Sequence, residues 1–497
     1  MSRRPVVRVL VSLAVLGLLC VGPADASRLG PSDDWVAFGR DAQLTNAAWS
    51  QGLDVRSARS LAVAWSARLD GGILAQPLVA HPFGRGQVYA ATAAGSVYAI
   101  DAGTGRVVWQ RNFGTVVTPG CGTYGISSTG AIDLMRGLLY VAAADGQVHA
   151  LALTTGEEAP GWPVTVTLRT LYTYVWGGLR IVGSRLYVPV ASYCDELDSD
   201  GRAAEGQVVA LDLGNPSTRS IFDPVPGFGN LGGDWSWGGV SAEADGSFVY
   251  AGIGNAEQYD SACACLDETA GYGDSVVKLT PDLAHVVGSN RPYSAIGAED
   301  EDLGGTPLLF RPAGCPPLAA ANSKIGTLFI WDRLDLGRGP IQEVPLSDAI
   351  DAFVGEPSWS VARGLLYDAG ATFERGGSRL GTGVMALAFR SGCKVRPVWS
   401  AVVGDGPQPP PLVVGNVVVA AGGSTGGYEA HAASDGLLLW KFPTPGAAAL
   451  GSPSAADGKI FAGDYGGTLW AFAPRRPPGG PSPSGLPSRR SSLDWSP

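Results

Sequence analysis

The chain has 497 residues, a formal net charge of −10, 45 % hydrophobic residues and only 16 % charged residues. This composition supplies enough apolar side chains for a buried core, and it excludes an intrinsically disordered protein. The net acidity argues against a nucleic-acid partner, because no basic stripe is present to neutralise phosphates. The 71 glycines and 36 prolines predict many turns, as in folds of short strands joined by loops.

The first 26 residues are predicted to be a signal peptide. Two arginines near the start precede an apolar run over residues 6–21, and Ala24-Asp25-Ala26 offers a small-x-small cleavage site. Cleavage after Ala26 would export the mature chain to the periplasm, the cell surface or the medium. A lipoprotein anchored through Cys20 and a twin-arginine signal are the alternatives. No other segment is long and apolar enough to span a membrane, so no membrane span is expected after signal removal.

Self-comparison of the sequence reveals a repeated unit. Its clearest copy covers residues 87–109, where alternating apolar residues give two strands around Ala94-Gly95, a tight turn at 101–105 and a strand that ends in Trp109. The phrase returns with variation, which makes eight copies in all. In the later copies, the stretch that corresponds to residues 97–101 starts at Val148, Val208, Val276, Leu328, Val384, Tyr428 and Thr468.

The two ends of the repeat region complement each other. The last copy lacks the strand that would follow Phe472, while a spare strand over residues 60–65 precedes the first copy. Pairing them removes two exposed sheet edges. The sequence therefore predicts an all-β fold, an eight-bladed β-propeller of four-stranded antiparallel blades over residues 27–473, closed by its N- and C-terminal strands. Residues 474–497 are predicted to be a disordered tail.

Tryptophans recur at the ends of the predicted blades. We expect them to pack between neighbouring blades rather than to contact a cofactor. They are Trp65, Trp109, Trp162, Trp399 and Trp440.

Six of the seven cysteines follow the predicted signal peptide. An even number in an exported chain favours disulfides, and six cysteines allow fifteen pairings. We expect Cys121–Cys194 and Cys315–Cys393, because each pair would join loops of neighbouring repeats, which leaves Cys263–Cys265 as the third pair. No Cys-x-x-Cys-His motif occurs, so no covalent haem is expected.

An acidic loop lies between the second and third copies of the repeated phrase. Glu196, Asp198, Asp200 and Gly201 resemble the first half of a calcium-binding loop, in which alternating carboxylates project oxygens towards one point. Gln207 stands where the final bidentate acid would be. A solvated acidic loop is the alternative interpretation.

The repeat itself resembles a known one. The phrase Tyr98-Ala-Ile-Asp101 with Thr104-Gly105 and Trp109 resembles the repeat named after pyrroloquinoline quinone (PQQ). That repeat occurs in quinoprotein alcohol dehydrogenases and in the outer-membrane protein assembly factor, which binds no quinone. The resemblance extends over residues 35–473 and implies the eight-bladed propeller.

Motifs in the middle of the chain resemble the enzyme members of that group. By this resemblance, Trp237 would be the platform for the quinone, and Asn255 together with Glu196 would be calcium ligands. Asp302, at the end of an acidic run, would be the catalytic base, and Lys324 would contact the quinone. A flat aromatic stacks on the quinone, a carboxylate takes the alcohol proton, and Ca²⁺ with a cation polarises the reactive carbonyl.

The sequence also departs from that enzyme pattern. Many such dehydrogenases cover the quinone with a disulfide between adjacent cysteines, whereas Gly122 follows Cys121 here. Three functions therefore stay open. The first is a propeller, expected to be monomeric, that binds a small molecule or protein partner on its face or in its channel without catalysis. The second is a PQQ- and Ca²⁺-dependent alcohol or sugar dehydrogenase, and the third is a propeller that acts on a polysaccharide or another polymer without quinone. Any small-molecule site is expected on the axis, where loops of the middle blades converge.

Overall fold

A computed structural model describes most of the predicted propeller. The described residues are 34–49, 52–195, 198–199, 202–227, 230–256, 258–260, 265–267, 270–292, 302–347, 356–375 and 378–475. The predicted signal peptide, nearly all of the predicted tail, Glu196 and Cys263 lie outside them. Within these ranges the helices are the α-helix Val55–Ala58 and the 3₁₀ turns Pro82–Gly84, Leu336–Arg338 and Ser391–Cys393. None of the described helices has the length and apolar character needed to cross a bilayer.

Eight antiparallel blades form the fold, and the first four come from the first half of the chain. Blade 1 contains Leu78–Ala80, Gln87–Ala91, Ser96–Asp101 and Val107–Asn112. Blade 2 contains Ala131–Asp133, Leu138–Ala142, Gln147–Ala152 and Val164–Thr165. Blade 3 contains Arg180–Val182, Arg185–Ser192, Gln207–Asp212 and Arg219–Phe222, and Thr173–Tyr174 also pairs with its second strand. Blade 4 contains Ser241–Ala242, Val249–Gly252, Val276–Leu279 and Val286–Asn290.

The remaining blades follow the same order. Blade 5 contains Leu308–Phe310, Leu318–Asn322, Thr327–Asp332 and Gln342–Pro345. Blade 6 contains Ser358–Ser360, Leu365–Arg375, Ser378–Phe389 and Val395–Gly404. Blade 7 contains Leu412–Val414, Val417–Ala421, Tyr428–Ala432 and Leu438–Phe442, and blade 8 contains Ser454–Ala456, Lys459–Gly463, Thr468–Pro474 and Leu61–Arg68. Two hairpins lie outside the blades, Val116–Thr118 with Gly122–Tyr124 and Gln258–Asp260 with Cys265–Asp267.

Blade 8 closes the ring as predicted. Leu61–Arg68 pairs antiparallel with Thr468–Pro474, and Trp65 stands opposite Ala471. The strand continues to Arg68, three residues beyond the predicted end, because buried Ala67 extends the alternation. The eight-bladed propeller closed by strands from both ends of the chain is confirmed.

Tryptophan side chains join neighbouring blades. The Trp109 indole Nε1–H of blade 1 donates to the Leu153 carbonyl of blade 2 at 2.9 Å. Its ring covers Gly156, where a Cβ atom would lie 2.6 Å from the indole and where φ is +68°, so glycine is required. The arrangement occurs twice more. Trp65 Nε1–H donates to the Ala102 carbonyl and its ring covers Gly105. Trp399 Nε1–H donates to the Ala433 carbonyl and its ring covers Gly436. Trp440 reaches Phe472 of blade 8, and Trp162 packs against the core between blades 2 and 3.

The first described segment, residues 34–48, makes a circuit inside the ring that the sequence did not predict. The first strands of most neighbouring blades contact each other around the axis, and the segment bonds to residues of these strands in blade order. Its backbone partners, from blade 1 to blade 7, are Val79, Ile132, the Arg180 side chain, Ala242, Leu309, Trp359 and Val413. It ends as Ala47–Ala48, a parallel strand on the inner edge of blade 7. We call this segment the inner belt.

Candidate functional site

A cavity of about 460 Å³ lies on the axis at one face of the propeller. The connections between blades and the loops between second and third strands meet there, as expected for a propeller. Its walls include five aromatic side chains, Trp176, Tyr193, Trp235, Trp237 and Tyr465. The polar and charged side chains in its walls are Ser192, Asp195, Asn255, Asp302 and Lys324. This volume and this mostly apolar lining with a few polar groups are typical of small-molecule sites.

An ion pair between blades 4 and 5 forms one wall. The Asp302 carboxylate lies in the connection before blade 5, and Lys324 lies in the loop that follows the second strand of that blade. Lys324 Nζ is 3.3 Å from Asp302 Oδ2, and the Lys324 amide donates to the Asp302 carbonyl at 2.8 Å. The Asp302 side chain is only 4 % exposed, whereas that of Lys324 is 20 % exposed. The lysine therefore presents the more accessible charge to the cavity.

Asn255 touches the same pair from blade 4. Its backbone N–H donates to Asp302 Oδ1 at 2.5 Å. The preceding residue, Gly254, has no room for a side chain, because a Cβ atom would lie 2.6 Å from both Asp302 Oδ1 and Trp235 Nε1. A glycine at this point therefore allows the carboxylate and the indole to approach each other closely.

Two tryptophans two residues apart contribute to the floor of the cavity. Trp237 was expected from the sequence as an aromatic platform, and it lines the cavity. Trp235 was not expected, yet its ring lies 5.5 Å from Lys324 Nζ, a distance typical of a cation–π contact. Asp234 and Ser236 are buried, whereas Trp235 and Trp237, which alternate with them, line the cavity. This alternation is the signal by which Trp235 was predictable.

An aromatic wall from blade 3 completes the cavity. The Trp176 and Tyr193 rings are stacked, with 6.1 Å between centroids and 14° between planes. Tyr174 packs edge-on against Trp176 at 4.9 Å, and Tyr124 packs against Tyr193 at 4.6 Å. Trp176 and Tyr193 were not identified from the sequence, because neither belongs to the repeated phrase or to a motif.

Two of the three expected disulfides are confirmed. Cys121–Cys194 has a Cα–Cα distance of 6.3 Å, and Cys315–Cys393 one of 5.7 Å. Cys194 itself lines the cavity, next to Tyr193 of the aromatic wall. The third pair includes Cys263, which lies outside the described residues.

The structure thus brings together Trp237, Asn255, Asp302 and Lys324 around one cavity. The other expected calcium ligand, Glu196, falls outside the described residues, although its neighbour Asp195 lines the cavity. In the acidic loop, the Asp198 carboxylate forms an ion pair with Arg169 at 2.7 Å. Within the ranges that the structure describes, no group of three or more His, Cys, Asp or Glu side chains is arranged to hold a metal ion.

Comparisons with known proteins agree with the repeat and with the fold. A family model described as outer membrane protein assembly factor BamB matches residues 55–172. A quinohemoprotein alcohol dehydrogenase, ADH-IIG of Pseudomonas putida, is 24 % identical over 289 residues. The match covers 51 % of this chain and 38 % of that enzyme, so the chain spans well under half of the relative's length.

Solved structures match over most of the chain. The quinohemoprotein alcohol dehydrogenase from Comamonas testosteroni has a TM-score of 0.69 at 19 % identity, over 90 % of this chain and 82 % of that one. BamB from Moraxella catarrhalis has a TM-score of 0.55 at 17 % identity, over 83 % of this chain and 99 % of that one. At such identities these matches establish the fold, and an enzyme and an assembly factor share it. The chain is therefore an eight-bladed β-propeller whose repeated phrase is similar to the PQQ repeat, and its residues 55–172 match the BamB family model.

Proposed function

We propose that this protein is an exported propeller that binds a small molecule in the axial cavity without catalysis. The observation that carries the proposal is the convergence of Trp237, Asn255, Asp302 and Lys324, from successive parts of the chain, on one concave aromatic site. A cavity with few, convergent polar groups suits recognition of an extended, flat molecule. Export is supported by the two disulfides, which persist in oxidising compartments.

Native mass spectrometry of the protein purified from its own host tests this proposal. We expect a small molecule to co-purify with the wild-type protein and to be lost from Gly254→Ala, whose Cβ atom would displace Asp302 or Trp235. Gly288→Ala is the matched control, because the nearest atom to its Cβ would lie at an ordinary 3.7 Å. A molecule retained equally by all three proteins would not be bound in this cavity. A protein that co-purifies instead would favour a partner on the propeller face.

A PQQ- and Ca²⁺-dependent dehydrogenase is the second candidate. The specific observation in its favour is that four residues assigned to quinone chemistry by resemblance line the same cavity. The tryptophans provide flat faces, and Lys324 provides one positive charge. Among the described lining residues, however, two carboxylates stand against this single lysine, so an anionic quinone fits only together with a bound cation.

The roles in that candidate follow from the contacts. Trp237 would support the quinone, Lys324 would contact its carbonyl, and Asn255 would offer an amide oxygen to the cation. Bound in this way, the quinone would supply a two-electron acceptor. Asp302, which contacts Lys324 and the Asn255 amide, would accept a proton from a substrate hydroxyl.

Quinone titration with and without Ca²⁺ distinguishes the two candidates. For a dehydrogenase we expect Ca²⁺-dependent binding to the wild type, weaker binding to Lys324→Ala, and dye reduction with an alcohol that is lost in Asp302→Ala. Quinone bound equally by every variant, or by none, removes the enzyme and leaves the binding propeller.

A further inference from the structure

A buried polar layer lies directly beneath the floor of the cavity. Along the chain, Asp234 and Ser236 alternate with the cavity-lining Trp235 and Trp237; they do not line the cavity and are 0 % and 1 % exposed. The floor of the cavity and this polar layer therefore belong to one stretch of backbone. A change in the layer acts directly on the two tryptophans.

The layer is a continuous chain of hydrogen bonds across three blades. Ser236 Oγ donates to Asp234 Oδ1 at 2.5 Å, and Thr306 Oγ1 donates to Ser236 Oγ at 2.7 Å. Glu356, just before blade 6, accepts at Oε1 from the Gly238 amide at 2.9 Å and from the Thr306 amide at 3.2 Å. One glutamate therefore fixes the backbone next to Trp237 and the start of blade 5.

Glu356 has no contact with solvent that could support a negative charge. The residue is 1 % exposed, and its second oxygen, Oε2, has no hydrogen-bond partner among the described residues. Two further buried carboxyls, Asp234 and Asp368, interact with it electrostatically, and each also has one oxygen without such a partner. An ionised glutamate here would be a buried anion between two other acids.

One buried cation, Arg180, also faces Glu356, but its guanidinium already donates to three backbone carbonyls at 2.8–3.3 Å. Burial raises the pKa of Glu356 to about 7, although hydrogen bonds from Thr306 and Gly238 and the charge of Arg180 oppose the shift. Burial also raises the pKa of Asp368 to about 8 and that of Asp234 well above its usual range. A negative charge on Glu356 therefore also disfavours ionisation of Asp234 and of Asp368.

We propose that Glu356 is a positioning residue for the floor of the axial cavity, and that it holds the floor in its protonated form. Loss of the proton makes Oε1 a stronger acceptor for the Gly238 and Thr306 amides, but it also leaves a buried anion beside Asp234 and Asp368 that only water can solvate. Water that enters the layer to solvate this anion opens the layer beneath the floor, and Trp237 then loses its fixed position. As far as it concerns ligand binding, this inference rests on the proposed function.

Hydrogen–deuterium exchange of peptides that contain Gly238 provides the test. After correction for the intrinsic pH dependence, we expect protection in the wild type to fall about tenfold between about pH 6 and pH 9. Glu356→Gln, which imitates the neutral acid, should keep this protection at both pH values. The exposed Glu343 supplies the matched control, and Glu343→Gln should behave as the wild type does. A wild-type segment insensitive to pH, or equal pH dependence in Glu356→Gln, would overturn the proposal.

Two further measurements separate this inference from the proposed function. Infrared spectroscopy should show a protonated carboxyl band that titrates in the wild type and is diminished in Glu356→Gln; an unchanged band overturns the inference. Binding of PQQ with Ca²⁺ should weaken above about pH 7 in the wild type but not in Glu356→Gln. If PQQ binds to neither protein, the quinone candidate fails, while the exchange and infrared results still decide the role of Glu356.

Discussion

Replacing Trp65 by alanine tests the contact that joins the closing blade to blade 1. Its side chain is 9 % exposed, donates from Nε1 to the Ala102 carbonyl at 3.0 Å and covers Gly105. A buried tryptophan side chain covers roughly 200 Å², which at ~25 cal/mol per Å² corresponds to about 5 kcal/mol. Measured truncations of buried aromatic residues cost about 3–5 kcal/mol. We therefore expect Trp65→Ala to lower the free energy of unfolding by about 4 kcal/mol.

Thermal unfolding translates this loss into a measurable shift. With an unfolding entropy of about 2.1 cal/mol/K per residue over roughly 440 residues, 4 kcal/mol lowers Tm by about 4 °C. Trp49→Ala is the matched control, because Trp49 is 64 % exposed and should leave Tm nearly unchanged. Equal Tm values for the two variants would refute the idea that inter-blade tryptophans stabilise the ring.

Three further predictions concern the disulfides, pH and the cavity. Replacing both cysteines of the disulfide between blades 5 and 6, which closes a 78-residue separation, should lower the free energy of unfolding by about 4 kcal/mol in denaturant titrations; no change would exclude a stabilising role. Ion pairs with Asp34 and Asp457 raise the pKa of His81 to about 10, so its stabilisation is complete below about pH 6.5 and disappears as pH rises through about 10. Melting curves of His81→Gln and the wild type should therefore converge at alkaline pH, and a constant difference would contradict this pKa. Finally, Gly254→Ala should retain the wild-type far-UV circular dichroism while its ligand affinity falls at least about tenfold; wild-type affinity would show that the cavity tolerates the added Cβ atom.

The blades were predictable because the sequence repeats the same local chemistry. The Asp101 carboxylate accepts from the Gly103 and Thr104 amides, and Gly105 adopts a positive φ. A turn of this kind fixes the register of the strands on either side, so each copy of the phrase specifies one blade. The spare strand that ends in Trp65 then predicted how the last blade is completed and the ring is closed.

The inner belt was not predictable by the same route. Most of its bonds to the blades are made by its backbone atoms, such as the Val36 carbonyl to Ile132 and the Gln43 carbonyl to Leu309. Backbone bonds of this kind leave no periodic pattern in the side chains. The segment therefore gives no strand signal of its own.

The candidate site was partly predictable, for a related reason. Asp302, Asn255 and Lys324 were found because they stand in motifs with a chemical meaning, and closure of the ring brings them together. Trp176 and Tyr193 line the same cavity through packing that no motif records. Glu356 is far from all of them in sequence, and only the three-dimensional approach of blade 6 to Gly238 reveals its contact with the floor.

The inner belt has a consequence for the order of folding. Residues 34–48 are synthesised before any blade, yet their partners extend from Val79 to Val413. The full set of these bonds requires the first strands of seven blades to stand around the axis, so the belt, although it is made early, can complete its contacts only late. Such long sequence separations slow folding, because the entropy of closing large loops is lost before the contacts form. The belt thus couples the first residues of the propeller to blades that are synthesised hundreds of residues later, and its complete set of bonds requires nearly the whole ring.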